Sequence, residues 1–251
     1  MDKVVTEWSL YPAGDRSLVV TFHHPELGVA NQRASRFARH VQQALPEGVY
    51  AVVPGMESVA LHYEPAQVLA AAQAKLATQQ WLSPYACLHE QVEQLLTQPH
   101  TTAQQAARVQ RIPVCYGGDY GPDLLDVAKR CQLEPEALIA LHTQQTVDVL
   151  MLGFAPGHPY VGFFSERLTV GRRASPRTAV PPGSIGLANR QSVIYPMTLP
   201  GGWHLIGRTP LRIFNAYQNP PAQLAAGDTV QFVAISPDEF EYLAAQESSA
   251  A

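Results

Sequence analysis

The chain has 251 residues, 46% of them apolar and only 15% charged, a composition that excludes a disordered chain and allows two domains with cores of ordinary size. Seventeen Lys and Arg against 21 Asp and Glu give a net charge of -4, with no basic cluster able to follow a phosphate backbone, so nucleic acid is not an expected ligand. Cys87, Cys115 and Cys131 lie far apart without CxxC spacing, which indicates neither a disulfide framework nor a metal site and points to a reducing cytoplasm.

At the N-terminus, Met1 to Glu7 interrupts its apolar residues with charge too early for the hydrophobic region of a signal peptide, so secretion is not expected. Ser17 to Phe22 is β-prone and follows the turn signal Gly14-Asp15, and we read it as the first element, a strand. From Val29 to Leu45, Ala30, Ala34, Phe37, Val41 and Leu45 recur every three or four positions with arginines opposite, the pattern of an amphipathic helix. Val49 to Val53 and Ser58 to Tyr63 flank Pro54-Gly55 and should pair as neighbouring strands. Pro65 opens an alanine-rich helix, and Tyr85, Leu88, Val92 and Leu95 place one apolar stripe on a third helix, Tyr85 to Leu96. Together these make a small α/β sandwich over residues 1–98. The polar, aperiodic Thr97 to Gln110 reads as an interdomain connector.

In the second domain, residues 108–251, proline and glycine are dense between short β-prone runs at Val147 to Leu152, Ser192 to Tyr195, Trp203 to Ile206, Leu211 to Phe214 and Thr229 to Ile235. That spacing favours a barrel or sandwich, interrupted by helices opening at Pro122 and Pro135. The richest apolar run, Val147 to Phe154, contains Asp148 and is far shorter than the ~20 apolar residues of a membrane-spanning helix.

The segment Gly153 to Gly162, with Phe154, Gly157, His158 and Tyr160, combines glycines that admit close backbone approach, a stiffening Pro156 and flat aromatic walls, as a pocket for a small planar ligand would. A purely structural loop fits the same composition. Arg172, Arg173 and Arg177 surround Pro176, and guanidinium forks bind carboxylate or phosphate oxygens in pairs. Solvated surface arginines are the alternative, favoured for Arg172 or Arg173 over Arg177. Pro181-Pro182-Gly183-Ser184 offers a glycine-flanked N–H and a hydroxyl but is no nucleophile elbow. Trp203, behind Pro200-Gly201-Gly202, and Arg208 sit at the two ends of one short strand, with Trp203 read more readily as core than as a ligand platform. His158 can transfer protons near neutral pH if it keeps an ordinary pKa, although no Asp or Glu is identifiable as its partner. His142 reads as a partly buried, hydrogen-bonded structural histidine. Cys115 is a candidate nucleophile or, more simply, a buried inert thiol. Neither GxxxxGK[ST] nor GxGxxG occurs, so a nucleotide would be bound elsewhere or by a partner.

Several ordered motifs then carry a resemblance. They are Ile112 to Gly118 (IPVCYGG), Gly121 to Leu124 (GPDL), Leu141-His142-Thr143, Leu152 to Gly157 (LGFAPG), Ser175-Pro176-Arg177, Val180 to Ser184 (VPPGS), Ile194-Tyr195-Pro196 and Pro200 to Trp203 (PGGW). The chain resembles the PxpB family, the B component of bacterial 5-oxoprolinase, also described as allophanate hydrolase subunit 1 and as the sporulation-kinase inhibitor KipI. The likeness is strong from Ile112 to Phe214 and looser in the first domain, through Tyr11 to Asp15 and Val53-Pro54-Gly55. It implies an α+β protein, a ferredoxin-like α/β domain followed by a cyclophilin-like β-barrel. It implies a non-autonomous, cytoplasmic enzyme subunit that works with a second cyclophilin-like subunit (PxpC, or allophanate hydrolase subunit 2, type) and a third, PxpA-type subunit. The complex would open the lactam of 5-oxoproline to glutamate with ATP. The family usually has Phe where this chain has His158 and Thr-Gly where it has Ser192-Val193. A KipI-like inhibitor of a sensor histidine kinase, or a subunit of a biotin-dependent urea carboxylase and allophanate hydrolase system, are the alternatives. The candidate substrate-binding residues are Phe154, Gly157, His158, Tyr160, Arg177, Ser184, Gln191, Tyr195, Trp203 and Arg208. None is assigned as catalytic.

Overall fold

The computed structural model describes residues 7–74, 82–98 and 109–249. Most of the N-terminal stretch read against a signal peptide, and most of the connector, lie outside the described residues. The chain divides into two compact units, Met1–Gln105 and Ala106–Ala251.

Unit one contains β1 (Trp8–Pro12), β2 (Ser17–Phe22), α1 (Leu27–Gln43), β3 (Val49–Pro54), β4 (Ser58–Tyr63), α2 (Pro65–Ala74) and α3 (Pro84–Thr97). Its antiparallel sheet has the order β1-β2-β4-β3. This is the strand order of a ferredoxin-like sheet, except that the edge strand beside β2 comes from the front of the chain rather than after the last helix. The expectation that Ser17–Phe22 comes first is therefore corrected. β1 carries Pro12 and mixes half-buried with exposed residues, as an edge strand can, and such a segment gives little period-two signal. Leu18, Val20 and Phe22 of β2 and Val59, Leu61 and Tyr63 of β4 point to one face, where Ala34, Phe37, Ala38 and Val41 of α1 cover them. Burying side chains of this size contributes roughly 1.5–3 kcal/mol each, which fixes the helix to that face. At α3 the Ser83 hydroxyl accepts from the Ala86 N–H and Pro84 occupies the first turn.

Unit two contains β5 (Val109–Tyr116), α4 (Leu124–Arg130), α5 (Pro135–Thr143), β6 (Val147–Leu152), β7 (Pro159–Gly162), β8 (Arg177–Val180), β9 (Ser184–Ala188), β10 (Gln191–Ile194), β11 (Leu199–Gly201), β12 (His204–Arg208), β13 (Thr229–Ile235) and α6 (Pro237–Ser249). Seven strands close into a barrel in the order β10-β7-β6-β13-β5-β12-β9. β5 and β13 run parallel, joining the two ends of the unit. β8 and β11 form a separate two-stranded ribbon. One buried cluster takes side chains from all seven barrel strands, among them Ile112, Val149, Val161, Ile185, Ile194, Ile206 and Phe232, so it fills the bore. Leu211 to Phe214 is not a strand, contrary to expectation. It makes only an isolated bridge from Phe214 to Ala222, while Ile213 drops into the main core. Pro210 withholds an N–H at its start, and the barrel is already closed without it.

Candidate functional site

Side chains alternate across the barrel wall, so for each residue facing the bore a neighbour faces outward. On β7, β10, β9 and β12 the outward set is Tyr160, Val193, Ala188 and Leu205. Val180 and Leu199 of the β8–β11 ribbon, with Tyr195 and Trp203, close over them as a second, smaller core. Beside that core opens a hollow of about 230 Å³ lined by Phe154, His158, Tyr160, Arg172, Pro176, Tyr195, Pro200, Gly201, Gly202 and Trp203. It lies outside the filled bore, and it is smaller than the pockets of roughly 300–1,000 Å³ that hold drug-sized ligands, so its size suits a small metabolite.

Each lining group has a local cause. Trp203 seats against the wall because position 186 is glycine: a Cβ there would lie 2.7 Å from the Cβ of Trp203. The Arg172 guanidinium stands 5.2 Å from the Trp203 ring centroid, a cation–π contact of about 0.5–1 kcal/mol that holds it at the rim. Phe154 adopts φ +72°, a left-handed conformation costly for a bulky residue, and is 64% exposed at the mouth, its ring edge-on to His158. The turn is held by Gly157 at φ +71°, where a Cβ would lie 2.6 Å from the Cβ of Phe214. His158 is the enclosed group, 1% exposed and ringed by Phe154, Tyr160 and Tyr195. Its Nδ1 is buried and has no hydrogen-bond partner on another described residue.

Burial pulls His158 down to about 4, so the ring is neutral near pH 7 and is not poised for the proton transfer that its sequence context suggested. Burial first, then the neighbouring Tyr160, push the Tyr195 phenol up to about 12 against the lowering charge of Arg172, so it stays protonated. The lining includes one guanidinium and no carboxylate. The hollow can thus hold a flat polar body carrying one negative charge.

Of the ten sequence candidates, Phe154, His158, Tyr160, Tyr195 and Trp203 converge on the hollow, and Gly157 supports its turn. The other four sit elsewhere. Arg177 donates from Nη2 to Oδ1 of Asp123 at 2.8 Å. The Nε of Arg208 donates to the Pro182 carbonyl at 2.8 Å. Ser184 is buried on β9, its carbonyl accepting from the Tyr195 N–H at 3.0 Å. Gln191 opens β10, paired with Gly162 of β7. Arg172 was the least favoured of the three arginines with Arg173, yet it reaches the hollow. Nothing in three arginines within six residues selects among them, because the deciding contact is with Trp203, 31 positions from Arg172 in sequence.

Two buried polar systems lie behind this surface. Asp123 accepts from Arg173 Nη1 at 3.1 Å, from Arg177 Nη2 at 2.8 Å and from the Leu205 N–H at 2.8 Å, tying the start of α4 to β12 and to the approach to β8. Burial raises its pKa, but the Arg177 hydrogen bond, the Leu205 N–H and the two arginine charges outweigh that and hold it below the ordinary carboxylate value. Within the bore, His142 lies between Tyr116 Oη at 2.7 Å and Ser192 Oγ at 2.8 Å, stacked on Phe164 and Phe232. A neutral imidazole has one N–H, so one hydroxyl donates to the ring and the other accepts from it. Burial lowers His142 to about 3, fitting a structural histidine. Cys115 is buried and its thiol pushed up, as an inert thiol would be. Among the described residues no cluster of three or more His, Cys, Asp or Glu could hold a metal ion, and no helix is long and apolar enough to cross a membrane.

Residues 8–224 match the family model described as carboxyltransferase domain, subdomain C and D. The chain is 37% identical over 246 residues to the B component of 5-oxoprolinase from Bacillus subtilis (strain 168), covering 98% of this chain and all of the relative. The crystal structure of TTHA0988 superposes with TM-score 0.71 at 30% identity, covering 88% of this chain and 40% of that longer one. The Kluyveromyces lactis urea carboxylase superposes with TM-score 0.70 over 96% of this chain and 23% of its own, at 16% identity, a likeness of fold alone.

Proposed function

Because the chain belongs to the carboxyltransferase-domain family, subdomain C and D, alongside the B component of 5-oxoprolinase, we propose that it is the subunit of an ATP-dependent 5-oxoprolinase that presents the small acid substrate. The supporting observation is the aromatic hollow on the outer barrel wall, with a single guanidinium at its rim. 5-Oxoproline is a flat five-membered lactam bearing one carboxylate, which matches that charge and size. The substrate sits between Phe154, Tyr160, Tyr195 and Trp203, and its amide opens to the free amine and side-chain carboxylate of glutamate in the assembled complex.

ATP is a co-substrate of that complex. A hollow of about 230 Å³ with one cation does not fit a nucleoside triphosphate, and the sequence has no phosphate loop, so we assign the nucleotide to partner subunits. The partners are a second cyclophilin-like subunit and a third subunit, and the site of work is the cytoplasm. Mixing the chain with those two proteins should give 5-oxoproline-dependent ATP hydrolysis that disappears when this chain is left out. A full mixture that never hydrolyses ATP in response to 5-oxoproline would remove the reading.

A further inference from the structure

Residues 169–176 belong to no helix or strand, yet they carry Arg172 and Pro176 into the lining of the hollow. Such a segment keeps one shape only where its groups are tied to something rigid. Three ties are present. The Gly171 carbonyl lies 3.1 Å from Nε2 of His204, and because a carbonyl only accepts, that nitrogen carries the ring's proton and donates it. The Arg173 N–H donates to the Gly202 carbonyl at 2.7 Å. The guanidiniums of Arg173 and Arg177 both meet Oδ1 of Asp123, at 3.1 and 2.8 Å. Asp123 is in turn anchored twice to β12, its N–H donating to the Leu205 carbonyl at 2.9 Å and its Oδ2 accepting from the Leu205 N–H at 2.8 Å. Arg172 thus stands between two pinned neighbours, with its guanidinium 5.2 Å from the Trp203 ring centroid. Neither Asp123 nor His204 lines the hollow, and they are only 7% and 2% exposed.

We propose that Asp123, supported by His204, is a positioning residue for the hollow: it fixes the segment 171–177 so that Arg172 stays over Trp203, and it thereby sets the affinity of a site it does not touch. Its charge also sorts the arginines. Three guanidiniums within six residues repel one another, and a buried carboxylate that draws Arg173 and Arg177 to itself leaves Arg172 to the aromatic rim. This arrangement is independent of any ligand, and only the kinetic part of the test below rests on the function proposed above.

The spectroscopic part uses the full chain with Trp8→Phe and Trp81→Phe, which leaves Trp203 as the sole indole. Arg172→Gln defines the change in Trp203 emission when the cation is withdrawn. Asp123→Asn should reproduce that change, whereas Leu138→Ala, a truncation in the barrel core that lowers the urea midpoint for another reason, should leave the emission as in the parent. Should Asp123→Asn fail to fold, Arg173→Gln, which takes one of the two guanidiniums from Asp123, should shift the emission in the same direction. In the reconstituted complex Asp123→Asn should raise the KM for 5-oxoproline about 10-fold with kcat little changed, and the double variant with Arg172→Gln should be no worse than Arg172→Gln alone, because nothing is left to position. Trp203 emission that ignores Arg172→Gln or both of the lock variants, an equal shift in Leu138→Ala, or additive losses in the double variant each overturn the inference. A complex that never responds to 5-oxoproline removes the proposed function instead, and the emission of the isolated chain still decides whether Asp123 positions Arg172.

Discussion

Asp123 holds three partners from different parts of unit two, and its side chain is only 10% exposed, so its removal acts on more than one element at once. Asp123→Asn keeps the shape but withdraws the charge that Arg173 and Arg177 face. We expect a loss of about 3 kcal/mol, read as a lower urea midpoint with an unchanged slope. Arg177→Ala should also lower the midpoint, because its guanidinium belongs to this lock rather than to the hollow. The histidines set the acid limit. Burial depresses His142 to about 3 and His158 to about 4, below their ordinary value near 6.5, so the unfolded chain takes up protons that the folded chain refuses. Their stabilising contribution is complete above pH 6.5 and is lost as pH falls from there toward those lowered values, at about 1.4 kcal/mol per pH unit for each ring. Asp123 acts in the same direction at lower pH, its contribution disappearing as the pH drops through its depressed carboxyl pKa. Urea midpoints from pH 7.5 to 4.5 should therefore decline, and His158→Phe should flatten the slope; a decline of equal steepness in that variant would exclude His158 as a contributor.

The β8–β11 ribbon is the thinnest part of the site, two short strands with a register shift between Leu199 and Gly201. Barrel strands such as β9 have hydrogen-bonded neighbours on both sides. Hydrogen exchange should be fast at Leu199–Gly201, slow at Ile185–Leu187, and slower in the ribbon once 5-oxoproline is added. Equal protection of ribbon and barrel would show the roof to be fixed. The same contrast explains what could be read from sequence. α1, α3, β4 and β13 were legible because one buried face imposes a period of 3.6 or 2 on residues of marked polarity. β9 was not, since Ser184 to Ala188 is buried on both faces and uses Gly186 and Ala188 where β-branched residues would advertise a strand. The β9–β10 hairpin turn was equally silent: Asn189 and Arg190 take φ 50° and 63° without the usual glycine. In the hollow, the aromatic and glycine motifs announced Phe154, His158, Tyr160 and Trp203, and the family resemblance added Tyr195. Arg172 stayed hidden because a cation's role depends on which neighbours neutralise it, and Asp123 lies about 50 positions upstream of the arginines it captures.

At the scale of the molecule, each unit encloses a core of its own, one beneath the four-stranded sheet and one inside the barrel. A fragment spanning residues 109–249 should fold by itself, giving a β-rich circular dichroism spectrum and one cooperative urea transition; a broad, non-cooperative transition would show that the barrel depends on residues before Val109. The barrel's bore is occupied by Val161, Phe164, Ile194 and Phe232, with His142 stacked among them, and the hollow hangs on the wall outside it. Foldability and ligand choice are therefore written in largely different residues. After gene duplication, a descendant can exchange the side chains of the ribbon and its flanking loops, and so change what it recognises, while inheriting the scaffold intact. A common barrel in chains of divergent chemistry is what such a division of labour produces.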